Sequence, residues 1–176
     1  MTNLWPQYRD RIAGGWKCVS FEMFDTGGPD KKLIAKPHGD EPLGRVLISP
    51  NGFISAHMAR PERFGPLPSG NPWQTGEDKE VAHVARGLSM YCGHLELFED
   101  DDGLYWHTKV ECSSDPNRLG GLETRRISYF EEGGKAFMIL QPKQDMILEA
   151  SVTFRMNTLP KESQLMTRME RRREPF

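Results

Sequence analysis

Apolar and β-branched residues recur along this chain in short runs of alternating polarity, and hairpin-type turn residues separate the runs. That is the pattern of antiparallel strands. The first run covers residues 15–24. A polar loop follows, carrying Gly27-Gly28-Pro29 and Pro37-His38-Gly39-Asp40. Residues 45–49 and 53–59 flank Pro50-Asn51-Gly52, and Asn-Gly is a strong hairpin signal. Later runs cover 90–99, 104–112, 122–131, 135–141 and 147–156. The breaks between them are Asp100-Asp101-Asp102-Gly103, Glu132-Gly133-Gly134 and Pro142-Lys143-Gln144-Asp145.

Helical spacing is clear in one place, residues 77–88, where Val81, Val84, Ala85 and Leu88 fall on one face. A second helix is expected to start near Lys161. Eight sequential strands with one short helix after the third predict an all-β fold, an eight-stranded antiparallel up-and-down barrel. Closure removes the edges an open sheet would expose. Eight strands enclose an interior just wide enough for one small ligand. A two-sheet sandwich is the alternative architecture.

Side chains alternate across a strand, so hairpin register assigns faces. A two-residue turn at Asn51-Gly52 sets Val46 opposite His57 and Ile48 opposite Ser55, which puts Phe53, Ser55 and His57 inside. A four-residue loop at 131–134 places Arg125, Ile127 and Tyr129 on one face with Ala136, Met138 and Leu140. That face is expected to continue to Ile147, Glu149 and Ser151. An unpaired buried charge is strongly disfavoured, so Arg125 needs a partner, with Glu149 or Glu22 as candidates. Tyr91, Gly93, Leu95 and Leu97 share an interior face with Trp106, Thr108, Val110 and Cys112. His94, His107, Lys109 and Glu111 then face outward, and a bulge would bring Glu111 in.

Composition narrows the reading. The chain has 176 residues, enough for one domain, with no internal repeat. Residues 15–157 form the expected barrel domain, between an N-terminal segment (1–14) and a charged tail (158–176). Lys plus Arg is 23 against 25 Asp plus Glu, which argues against nucleic-acid binding. The tail cluster Arg168, Arg171, Arg172 and Arg173 reads as a solvated end. Three cysteines, Cys18, Cys92 and Cys112, do not make a disulfide framework. No secretory signal and no run near the ~20 apolar residues of a membrane span is visible. A cytoplasmic protein without a membrane partner is expected, and a homo-oligomer is compatible with the sequence.

Several segments carry a family resemblance. Gly14-Gly15-Trp16-Lys17-Cys18-Val19-Ser20-Phe21-Glu22 resembles the opening strand of the lipocalin-like domain family. Pro50-Asn51-Gly52 with Met58-Ala59-Arg60-Pro61-Glu62-Arg63 resembles its second hairpin and exit. Tyr91-Cys92-Gly93, and then Val110-Glu111-Cys112-Ser113 with Pro116, Asn117, Gly120 and Arg125, are similar to its later strands. The likeness spans residues 14–156. Three features depart from the family pattern: Ala59 separates Met58 from Arg60 where Met-Arg is usually direct, Thr108 stands where His is frequent, and Arg118 where Trp is. The resemblance implies an internal pocket and does not fix a reaction.

The chemistry-bearing residues are few. There is no Gly-x-Gly-x-x-Gly, phosphate loop or Gly-x-Ser-x-Gly. The five histidines are scattered, so neither a metal site nor a cofactor is expected. His57 is the acid/base candidate. Arg125 would polarise a carbonyl or hold a carboxylate, with Glu22 or Glu149 as base or counter-ion. Ser20, Phe53, Ser55, Tyr91, Trp106, Thr108, Tyr129 and Met138 are the expected ligand contacts. Two functions follow. One is a cofactor-free isomerase, cyclase or dehydratase acting on a polyketide- or terpenoid-like secondary metabolite. The other is a non-catalytic carrier of an apolar molecule.

Overall fold

The computed structural model describes residues 1–25, 32–143 and 150–158. The chain order is α1 (Trp5–Ile12), β1 (Gly14–Asp25), β2 (Leu33–Ala35), β3 (Leu43–Ile48), β4 (Phe53–Ala59), α2 (Asp78–Ala85), β5 (Leu88–Asp100), β6 (Gly103–Ser113), β7 (Leu122–Glu132), β8 (Lys135–Pro142) and β9 (Ala150–Thr158). Successive strands from β3 to β9 pair antiparallel, and β9 returns to β1 over the register Trp16↔Thr158 to Asp25↔Ala150. The other edge of β1 pairs with β3 along its first residues and with the short β2 at Met23 and Phe24. Eight principal strands therefore run hydrogen-bonded around a barrel, as the alternation of polarity predicts. The sandwich alternative is not what forms.

The two ends of the barrel differ. At the end where β1 begins, α1 lies across the opening. The apolar spacing Trp5, Tyr8, Ile12 is helical, but eight residues are too few for periodicity to stand out. Asn3 fixes this helix: its Oδ1 accepts from Trp5 N and from Leu97 N, both at 3.0 Å. The Trp5 indole donates to Pro50 O at 3.0 Å, and the Trp16 indole to Ile12 O at 2.9 Å. Trp5, Ile12, Trp16, Ile48, Ile54 and Leu97 are buried together. At about 1.5–3 kcal/mol per large apolar side chain, this layer makes a packed floor. The other end collects the longer connections: the loop before β3, the segment from Arg60 to Gly87 that contains α2, and the turn at Pro116–Arg118.

α2 is shorter than the expected 77–88. Glu80 accepts from the Glu77 backbone at 3.3 Å and from Ser69 N and Oγ at 2.8 and 2.7 Å, which sets the start of the helix. Arg86 and Gly87 then close its last turn through bonds to the Ala82 and Val84 carbonyls. The helix expected near Lys161 lies outside the described residues.

Three local irregularities decide which side chains point inward. The β3–β4 connection is one residue longer than the two-residue turn expected from Asn51-Gly52. Ser49 N bonds to Phe53 O, Gly52 takes φ +86°, and Ile48 pairs with Ile54. Arg45 therefore lies opposite His57 and Leu47 opposite Ser55. A shift of one residue exchanges the two faces of a strand. Ile54, Ala56 and Met58 are buried, whereas His57 is exposed and Phe53 and Ser55 share its outward face. A bulge at Val19 shifts β1 against β9 between Cys18 and Ser20. Trp16 and Cys18 point in before it and Phe21 after it, so Ser20 and Glu22 fall on the opposite face. A second bulge, at Glu111, lets Cys92 pair with Cys112 while Gly93 pairs with Val110. Cys112, expected inside, is exposed.

Candidate functional site

β6 and β7 build the polar part of the interior. Alternation along β7 points Glu123, Arg125, Ile127 and Tyr129 to one face, and Ile127 is buried in the core. On β6, Trp106, Thr108 and Val110 are all buried. The ladder sets Trp106 opposite Arg125 and Thr108 opposite Glu123. The partner of Arg125 is Glu123, two residues before it on the same face, rather than Glu22. Arg125 Nη2 lies 2.7 Å from Glu123 Oε2, and Arg125 Nη1 donates to Thr124 O at 3.0 Å. Arg118 completes the cluster, its Nε donating to Glu123 Oε1 at 2.6 Å. The Arg118 guanidinium also sits 4.5 Å over the Tyr91 ring. Asp115 holds the turn that delivers Arg118 by accepting from Asn117 N at 3.0 Å.

Burial pushes the Tyr91 phenol up, with the charges of Arg125, Glu123 and Arg118 acting on it too. It stays a neutral donor at ordinary pH. The Thr108 hydroxyl and the Trp106 indole N–H are fully buried and have no hydrogen-bond partner among the described residues. Buried polar groups are nearly always satisfied, so these two donors stand out as exceptions among the described residues. Both project from β6 into the barrel, directly across from the ion pair.

The expected site residues thus divide. Arg125, Tyr91, Trp106, Thr108, Tyr129 and Met138 lie on the inward face. Tyr129 sits nearer the floor, with its ring edge-on to Trp16 and its hydroxyl donating to Glu131 at 2.9 Å. Ser20, Glu22, Phe53, Ser55 and His57 do not join them. The His57 imidazole instead meets Ser55 Oγ at 2.8 Å on the outer face. Glu149 lies outside the described residues. Glu111 is exposed and bonded to His94 Nδ1 at 2.7 Å.

Three residues were missed. Glu123 was legible by carrying the alternation of Arg125, Ile127 and Tyr129 one step back. Arg118 sits in a turn and His38 in a loop, where no periodicity points to them. His38 is the buried histidine. Its ring packs edge-on to Phe21 at 4.8 Å, and its Nδ1 has no partner among the described residues. Burial lowers its pKa despite a hydrogen bond to the Gly87 backbone, with Arg60 adding to the shift. An open concavity of about 610 Å³, lined by Trp73, Gln74, Gly76, Asp78, Val81 and Ala82, lies on the outer loops and contains none of these groups. Among the described residues no His, Cys, Asp and Glu cluster could hold a metal ion. No described helix is long and apolar enough to cross a membrane.

The model of the lipocalin-like domain family covers residues 13–164. No curated protein and no solved structure matches the chain.

Proposed function

Because the chain belongs to the lipocalin-like domain family, whose barrel goes with small-molecule binding, we propose that it holds one small, largely apolar organic molecule between β6, β7 and the facing strands. The observation that carries this reading is the pair Trp106 and Thr108. Two fully buried hydrogen-bonding groups on the inward face of β6 have no partner among the described residues, and oxygen atoms of a ligand would supply acceptors there. Met58, Met138 and Leu140 supply adaptable apolar wall around them. Mass spectrometry of the purified protein under native conditions tests the reading. A bound organic mass that is released by denaturation, and reduced in the Thr108→Val variant, is expected. A protein that never carries or takes up an apolar molecule would sink it.

Turnover of the bound molecule is a second reading. His38 favours it, as a buried imidazole whose pKa burial lowers and one of whose ring nitrogens has no partner among the described residues. Such a group suits the single proton transfer of an isomerisation, cyclisation or dehydration. His57, outward and bonded to Ser55, is not its agent. Carriage without reaction needs no proton-transfer group. A His38→Ala variant that binds ligand but forms no product would separate catalyst from carrier.

A further inference from the structure

We infer that the molecule held in the barrel is an organic anion with its charge on oxygen, a carboxylate or an enolised dicarbonyl, docked on Arg125 and Arg118. The inference rests on the small-molecule reading above and adds the charge of the ligand to it. Glu123 is clamped from both sides, Oε1 by Arg118 and Oε2 by Arg125. Two guanidiniums against one carboxylate leave one positive charge, and among the described residues neither arginine has a second acidic partner. The three side chains are only 17–27% exposed. A net charge in so screened a place is costly unless an opposite charge meets it.

Donor chemistry points the same way. Each guanidinium presents about five N–H bonds in a planar fork suited to two oxygens. Glu123 and the Thr124 carbonyl engage only part of them. Across the ladder, Thr108 and Trp106 add an O–H and an N–H with no acceptor among the described residues. All four groups donate, and acceptors are in short supply. An oxyanion is an acceptor on every lone pair. A neutral hydrocarbon would leave the donors unsatisfied, and a cation would be repelled.

Paired fluorescent probes test this. 1-Anilinonaphthalene-8-sulfonate and N-phenyl-1-naphthylamine share one apolar body, and only the first carries an acidic group. The anionic probe is expected to bind at least about tenfold more tightly, with dodecanoate displacing it and dodecanol not. Arg125→Met should erase the preference, whereas Glu123→Gln should widen it by removing the internal competitor. A wild-type protein that binds both probes equally overturns the inference while leaving the small-molecule reading intact. Binding of neither probe overturns both. Should Arg125→Met fail to fold by circular dichroism, Glu123→Gln decides alone. A loss of the preference for the anion in that variant means the triad is only a structural ion pair.

Discussion

Trp106 and Arg125 stand directly opposite one another on the β6–β7 ladder, an indole N–H without an acceptor facing a guanidinium that has one carboxylate beside it, both counted among the described residues. At the next inward pair Thr108, whose hydroxyl also has no partner among the described residues, stands opposite Glu123, whose carboxylate is taken up by Arg118 and Arg125. The geometry separates the needs of the empty barrel from those of a filled one. Thr108→Val removes an unsatisfied hydroxyl at nearly constant shape. The empty protein should gain about 1 kcal/mol, a rise of roughly 2–4 °C in Tm for a chain of this size. Ligand affinity should fall in the same variant. Calorimetric melting with and without ligand checks both signs, and a variant that loses stability when empty would show that the hydroxyl has a partner after all.

Acid should loosen the place where the end of β5 is tied to β7 and to the residue after β8. Asp100 accepts from Arg126 Nη1 at 2.5 Å and Nη2 at 3.2 Å, and lies 2.8 Å from Lys143 Nζ. The Arg126 bonds first, and then Lys143, hold its carboxyl well below the usual carboxylate range. A folded-state pKa below the unfolded value of about 3.9 contributes stability in full above that value. The contribution is lost as pH falls below it toward the folded pKa. Asp100→Asn should therefore melt below wild type at pH 7, and the gap should shrink steadily below about pH 4. An equal gap at pH 7 and pH 2.5 would contradict the assignment.

At Gly93 the backbone of β6 leaves no room for a side chain on β5. Gly93 faces the interior between Tyr91 and Leu95, and a Cβ there would run into the Lys109 carbonyl just before the Glu111 bulge. Backbone cannot swing aside as a side chain can. Gly93→Ala should cost about 2–3 kcal/mol, read as a lowered urea midpoint. A neutral effect would mean that the bulge relaxes.

The cysteines should sort themselves by reactivity. Burial pushes the Cys18 thiol up to about 12, with Arg45 and Lys17 pulling slightly the other way. Thiolate is the reactive form. An aromatic disulfide reagent should label Cys112 and then Cys92 in the native protein, and Cys18 only after unfolding. Rapid native labelling of three thiols would place Cys18 outside the barrel.

How far the sequence carried this reading depended on parity. The 133–134 turn is two residues where a four-residue loop was expected, with Glu132 opposite Lys135. That error is even, so Arg125, Tyr129, Met138 and Leu140 still came out on the correct face. The β3–β4 turn was wrong by one residue, and that odd error carried Phe53, Ser55 and His57 to the wrong side. The bulge at Val19 did the same to Ser20 and Glu22. Strand existence follows from many residues together, whereas a bulge rests on a single unpaired residue that no periodicity announces. The β6 face, lying between the Asp-rich turn and the bulge, was legible throughout.

With α1, Trp5 and Trp16 sealing one mouth, a molecule held as proposed would come and go at the opposite end, beneath the loops around Arg118 and His38. Its residence time would then be governed by how those loops part, not by the strength of the floor. That closure also makes the first residues a safe handle: a purification tag ahead of Met1, whose side chain is almost wholly in solvent, would hang from the sealed side and leave exchange undisturbed.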